Sequence, residues 1–196
     1  MKLLMILMFA LLGVLVLKGR IWSFRAQTPA DYAALSPKIS LKQHLNGVIA
    51  SEGLIYGPNG RVSNSFVARM EGTWSGNTGT LTEAFTYSNG KQQKREWALT
   101  ILDDTHFTAT ADDIIGEAKG EVSGASIRMT YTIVLPQEAG GHRLRVTDWL
   151  YLTKSGVIIN RSQMRKFGIT VAELVATMRP DSSSALSPYA TMDAAE

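Results

Sequence analysis

From Gly47 to Lys166 apolar side chains recur at every second position in short runs, and turn residues interrupt them about every ten positions. A period of two sends successive side chains to opposite faces of a strand. One parity of the segment 61–74 holds Val62, Phe66, Ala68, Met70 and Trp74, while the other holds Arg61, Ser63, Arg69 and Glu71. Leu81, Phe85 and Tyr87 oppose Thr80, Thr82 and Thr86 in the same way. Trp97, Leu99 and Ile101 oppose Lys94, Glu96 and Thr100, and Ile127, Met129, Tyr131 and Ile133 oppose Arg128, Thr130 and Thr132. One wet face per strand marks an antiparallel sheet with a single buried side. The predicted strands are 47–56, 61–74, 78–88, 91–102, 105–112, 117–123, 126–135, 142–153 and 156–166. Asn89-Gly90 is the strongest hairpin signal, because both residues tolerate the positive φ of a tight primed turn. A long open sheet of such hairpins would expose its apolar face and its edges, so the chain must close or stack. The expected fold class is all-β, an antiparallel meander closed into a barrel.

An apolar run from Leu3 to Leu17 precedes the meander, with Lys2 before it and Lys18 after it. It falls short of the roughly 20 residues of a membrane span, but Ile21, Trp22 and Phe24 extend it, and Lys18 and Arg20 can snorkel. Leu17-Lys18-Gly19-Arg20 is a poor cleavage site for a secretory peptide. Residues 1–25 are therefore expected to form an uncleaved membrane-anchor helix. Basic residues on both sides leave its orientation open. Residues 26–46 read as a connector, with Pro29 and Pro37 as breakers and a single helical turn over Ser40 to Leu45. The barrel domain is drawn over 47–179 and a disordered Ser- and Ala-rich tail over 180–196. Within the domain, Thr170 and Glu173 have capping-box spacing, yet the same stretch suits a last strand closing the barrel. Both readings of 170–179 remain open.

Charge and composition exclude several functions. The formal charge is +3, but Lys2, Lys18, Arg20 and Arg25 all precede the first acid, Asp31. The rest of the chain holds 16 basic against 17 acidic residues and is close to neutral. No phosphate-binding footprint is implied, and nucleic acid is not expected as a partner. The absence of cysteine excludes disulfides, thiolate nucleophiles and a lipid-bearing cysteine. There is no phosphate loop, dinucleotide fingerprint, nucleophile elbow or paired-His helix. His44, His106 and His142 do not cluster in sequence, so no metal, cofactor or catalytic residue is assigned.

The residues that could carry a site are polar groups at apolar parity. Glu83 lies between Leu81 and Phe85, Arg95 precedes Trp97, and Asp148 interrupts Leu144, Val146, Leu150 and Leu152. Asn64 sits between Val62 and Phe66, and Arg161 follows Val157 and Ile159. Neighbouring strands would pair Glu83 with Arg95 and Asp148 with Arg161, because an unpaired buried charge costs several kcal/mol. Two readings follow. The pairs are internal ties near a barrel end, or they line a cavity in which Phe66, Trp74, Phe85, Tyr87, Trp97 and Tyr131 contact a ligand's apolar body. A barrel of about eight strands holds side chains or one small ligand. Asp112-Asp113 reads as a bend, since adjacent strand residues face opposite sides. Trp149 and Tyr151 lie opposite Asp148, either under the N-terminal segment or in an exposed contact patch.

Gly72-Thr73-Trp74, Ala111-Asp112-Asp113-Ile114-Ile115-Gly116, Asp148-Trp149-Leu150-Tyr151-Leu152, Asn160-Arg161 and Lys166-Phe167-Gly168 together resemble the bacterial domain-of-unknown-function 3833 family. The resemblance spans about Asp31 to Arg179. It implies a lipocalin-like, calycin-type barrel and, because many members look like envelope lipoproteins, a periplasmic domain. Without the lipid-bearing cysteine, an uncleaved inner-membrane anchor is the natural substitute. The expected function is a membrane-anchored barrel that binds a lipid or another apolar small molecule. The alternatives are an envelope assembly module with a filled barrel and a protein partner, and an enzyme using Glu83 or Asp148 as acid or base.

Overall fold

The computed structural model describes residues 2–21 and 23–181 and, within the first helix, the side chains of residues 2 and 4–14. Helix α1 (Lys2–Ile21) leads through a connector to the short helix α2 (Leu41–His44). Ten strands follow: β1 (Gly47–Tyr56), β2 (Val62–Ser75), β3 (Thr78–Tyr87), β4 (Gln92–Ile101), β5 (His106–Thr110), β6 (Ala118–Ser123), β7 (Ser126–Val134), β8 (Arg143–Leu152), β9 (Ile158–Lys166) and β10 (Ile169–Pro180). Each strand pairs antiparallel with its chain neighbours, and β1 pairs with β10 to close the barrel. Ten strands, not eight, surround the core.

The stretch left open between helix and strand is β10. A helix there would have left one edge of β1 and one of β9 without backbone partners, and sheet edges demand pairing. Leu174, Ala176 and Met178 then fall at one parity and join the interior cluster. That cluster includes Ile49, Phe66, Met70, Leu81, Trp97 and Val146.

One end of the barrel is plugged by the connector. Ile39, Leu41 and Leu45 are buried there against the interior cluster. The Ile39 amide donates to the Gly124 carbonyl at 2.9 Å, and Trp74 Nε1 donates to the Leu45 carbonyl at 2.8 Å. Gly72 makes this approach possible: a Cβ there would lie 2.1 Å from the Leu45 carbonyl oxygen.

Before it reaches the plug, the connector packs on the outside of β7–β9. Tyr32 packs against Trp149 and Tyr151, with ring centroids 5.2 and 5.4 Å apart, and the Tyr32 and Tyr151 hydroxyls both donate to Gln27 Oε1. Trp149 is only 1% exposed. The alternative of an exposed patch around Trp149 and Tyr151 is therefore corrected, because the connector covers it.

Among the described residues no helix is long and apolar enough to cross a membrane. Helix α1 nonetheless leaves Leu4, Ile6, Leu7, Phe9 and Leu11 exposed. Of the expected tail over 180–196, Pro180 ends β10 and the Asp181 amide donates to the Val48 carbonyl at 2.9 Å; the remainder lies outside the described residues.

Substituting Gly72 by Ala should destabilise the fold by about 3 kcal/mol, since rigid backbone occupies the space and overpacking is costly. Urea denaturation would show this as a lowered midpoint with an unchanged slope.

Candidate functional site

Inside the barrel, alternate residues of eight strands converge on one cavity of about 130 Å³. Its polar lining includes Glu83, Arg95, Tyr131, Asp148 and Ser162, and its apolar lining includes Phe66, Phe85, Trp97, Leu150 and Leu174. The register explains the convergence. Glu83 on β3 lies directly across from Arg95 on β4, and Asp148 on β8 lies across from Ser162 on β9.

Arg95 is the centre of the arrangement. Its guanidinium lies 4.1 Å from the Trp97 ring centroid and 5.5 Å from that of Tyr131. Its ion-pair partner is not Glu83 but Asp113, with Nη2 and Oδ1 2.9 Å apart. Asp113 comes from the β5–β6 connection, which is held against β7 by bonds from the Val134 amide to the Asp113 carbonyl (2.7 Å) and from the Ile115 amide to the Thr132 carbonyl (2.9 Å). This segment has left the strand alternation, so Asp113 can turn toward a residue of β4. Burial opposes the Arg95 charge, and Tyr131, Glu83 and Asp113 outweigh that effect, so the group is held above the usual arginine range.

Glu83 is the opposite case. Burial pushes its carboxyl up to about 7, and Arg95 only partly offsets the rise. Burial also raises Asp148, against the hydrogen-bonding influence of Ser162 and Tyr131. The buried Tyr131 hydroxyl is raised by desolvation first and by Asp148 second. Two carboxyls and one guanidinium thus share a confined space, and the carboxyls resist ionisation. Among the described residues, Arg95 Nε, Asp148 Oδ1 and Ser51 Oγ are buried and have no hydrogen-bond partner. All three residues line the cavity. Donor and acceptor atoms left unused in this way are costly to bury.

Of the residues singled out in the sequence, Phe66, Glu83, Phe85, Arg95, Trp97, Tyr131 and Asp148 line the cavity. Four others do not. Trp74 is fixed at the plugged end by its bond to Leu45. Asn64 accepts from Ser88 Oγ at 2.6 Å beside the β3–β4 turn. Tyr87 donates to Gln93 Oε1 at 2.9 Å and stacks on Phe85. Arg161 is on the outer face, opposite Trp149 in register, 3.5 Å from Glu173 and over the Phe24 ring. The Asp148–Arg161 pair does not exist. Adjacent Ile158 and Ile159 made either phase of β9 plausible, and a one-residue slip exchanges the two faces. Ile158 is the inward residue, followed by Asn160 and Ser162. Ser51 and Ser162 were missed because a small hydroxyl residue at apolar parity carries no charge signal. Parity with Ile49 marks Ser51 as inward.

The proton affinity of Glu83 links stability to pH. Its folded value near 7 exceeds the ordinary 4.5, so the folded state binds this proton more tightly than the unfolded chain. The resulting stabilisation is fully present below about pH 4.5 and is lost as pH rises through about 7, a difference of about 3 kcal/mol. The raised Asp148 acts in the same direction. Urea midpoints should therefore fall between about pH 5 and about pH 8, and Glu83→Gln should flatten much of that fall.

A family model described as a protein of unknown function (DUF3833) matches residues 19–180. No curated protein matches the chain in sequence. Among solved structures, the S-type phycobiliprotein lyase CPES from Guillardia theta is similar with a TM-score of 0.53 at 6% identity, covering 79% of this chain and 98% of that one. Rv2717c from M. tuberculosis gives a TM-score of 0.49 at 17% identity, covering 74% of this chain and 98% of that one. At 6% identity the likeness to the lyase is one of fold, and it agrees with a lipocalin-like barrel.

Proposed function

The chain belongs to the DUF3833 family, and from that footing we propose that it is a membrane-held, lipocalin-like barrel of the bacterial envelope that binds a small molecule in its interior. The observation that carries this reading is the cavity in which Arg95 Nε and Asp148 Oδ1 are buried with unused hydrogen-bonding capacity. A ligand that carries both an acceptor and a donor, such as a hydroxyl or an amide, matches the chemistry of these two atoms. Phe66, Phe85, Leu150 and Leu174 offer the apolar surface beside it.

Volume limits the ligand. A cavity of about 130 Å³ is close to the roughly 150 Å³ engineered cavity that takes up benzene, and well below the roughly 300 Å³ at which drug-sized sites begin. The occupant is a compact molecule, or the polar end of a longer apolar one such as a lipid. The membrane part of the reading rests on α1, whose exposed leucines, Ile6 and Phe9 need an apolar surrounding. The N-terminal segment holds the domain at the inner membrane, on the periplasmic side. A filled barrel serving as an assembly module is the second reading, and the small volume favours it.

Native mass spectrometry of the full chain, released from its own membranes in mild detergent, tests the first reading. A bound small molecule should appear, and Leu174→Trp, which fills the cavity, should remove it while the barrel stays folded. A bare chain in every preparation would leave the filled-barrel reading in its place.

A further inference from the structure

The neutral total charge of the domain conceals a segregated outer face. Arg128 on β7, Arg145 on β8 and Arg165 on β9 converge in one outer groove of about 500 Å³, and Arg25 of the connector joins them. Register places Arg145 directly across from Arg165, an arrangement that destabilises a sheet. None of these four makes an ion pair among the described residues. Glu117 shares the groove and Glu121 lies across from Arg128 in register, yet neither is ion-paired among the described residues. Arg165 donates through Nη2 to Thr147 Oγ1 at 3.1 Å, and its buried Nε has no partner. Burial, and then Arg25, Arg145 and Arg128, pull its pKa below the usual arginine value. Folding alone gives no reason to gather these charges.

A second observation lies in the adjoining groove, which shares Arg25, Arg145 and Arg165 and runs on to Lys166 and Phe167. Phe167, in the β9–β10 turn, has φ 52°, the left-handed region where glycine is favoured. Phe167 is 94% exposed, and Ile169, two positions on, is 70% exposed. A bulky aromatic held in strained backbone with its ring in solvent is costly to folding twice over.

We infer that this outer face docks on an anionic bilayer, with the arginines on headgroup phosphates and the Phe167–Ile169 tip in the apolar boundary. Guanidinium forks match phosphate oxygens, and a basic face bordered by exposed apolar side chains is the pattern of interfacial membrane binding. Arg25 follows the apolar N-terminal segment by a few residues, so the groove begins where the chain leaves α1. This inference goes beyond the interior cavity and shares with that reading only its membrane setting. Leu174→Trp should leave it intact, which keeps the two failures distinguishable.

The test uses the full chain in non-ionic detergent micelles doped with either phosphatidylglycerol or phosphatidylcholine, with bound lipid counted by native mass spectrometry. Phosphatidylglycerol should be preferred. The triple variant Arg128→Gln, Arg145→Gln, Arg165→Gln should lower its affinity about a hundredfold while leaving phosphatidylcholine unchanged. The same variant should melt no earlier than the parent, because facing like charges are removed. Lysines at the three positions should restore most of the preference. Phe167→Gly should stabilise the fold and weaken binding about tenfold. Equal uptake of both lipids, or an unaltered preference in the glutamine variant, would overturn the inference. Competition by inorganic phosphate as effective as by the anionic lipid would overturn it in favour of a free-phosphate site. Tighter binding of a short DNA duplex at the same salt would overturn it in favour of nucleic acid.

Discussion

The pairing of β1 with β10 is the constraint on which the rest of this molecule depends. Eight residue pairs, from Ile49 with Pro180 to Tyr56 with Glu173, join the two ends of the meander. Without that seam the sheet would keep two open edges and an uncovered apolar side. With it, alternation becomes an inside and an outside, and every inward side chain meets partners from strands distant in sequence. The seam also carries Leu174, Ala176 and Met178 into the interior. The connector completes the enclosure, with Leu45 seated where only Gly72 leaves room for its backbone.

Closure sets the electrostatics of the interior. Glu83 and Arg95 face each other across one hairpin, and the ring of strands brings Asp148 of β8 and Asp113 of the β5–β6 connection within their fields. Breaking a buried ion pair leaves the survivor uncompensated, so Asp113 and Arg95 tie the β5–β6 connection to β4. Glu83 and Asp148 are less well served, and burial drives both toward their neutral forms. A barrel built only for packing would have no need of buried atoms lacking a partner, such as Arg95 Nε and Asp148 Oδ1. The cluster is thus part tie and part unfilled binding capacity, which is why the structural and ligand readings of these residues are not exclusive.

The outer surface shows the same effect in the opposite sense. Summed over the chain after Arg25, basic and acidic residues nearly balance, and a sum says nothing about position. Arg128, Arg145 and Arg165 are separated by about twenty positions from one to the next and become neighbours because β7, β8 and β9 are adjacent. Trp149 and Tyr151, which alternation places on this same side, are instead taken up by the connector through Tyr32 and Gln27.

Sequence by itself determined nine of the ten strands, the turns between them and the one-sided character of the sheet, because a period of two is a local property readable from each strand in isolation. It also identified Glu83, Arg95 and Asp148 as inward, since a charge at apolar parity is conspicuous. It did not determine the phase of β9, where adjacent isoleucines leave the period ambiguous, and Arg161 was placed on the wrong face for that reason. Only the tertiary structure decided that residues 169–180 form a strand, that Asp113 rather than Glu83 is ion-paired with Arg95, and that four arginines share a groove. Each of those depends on contacts between segments far apart in the chain, and local alternation fixes the side a residue faces without fixing its neighbours there.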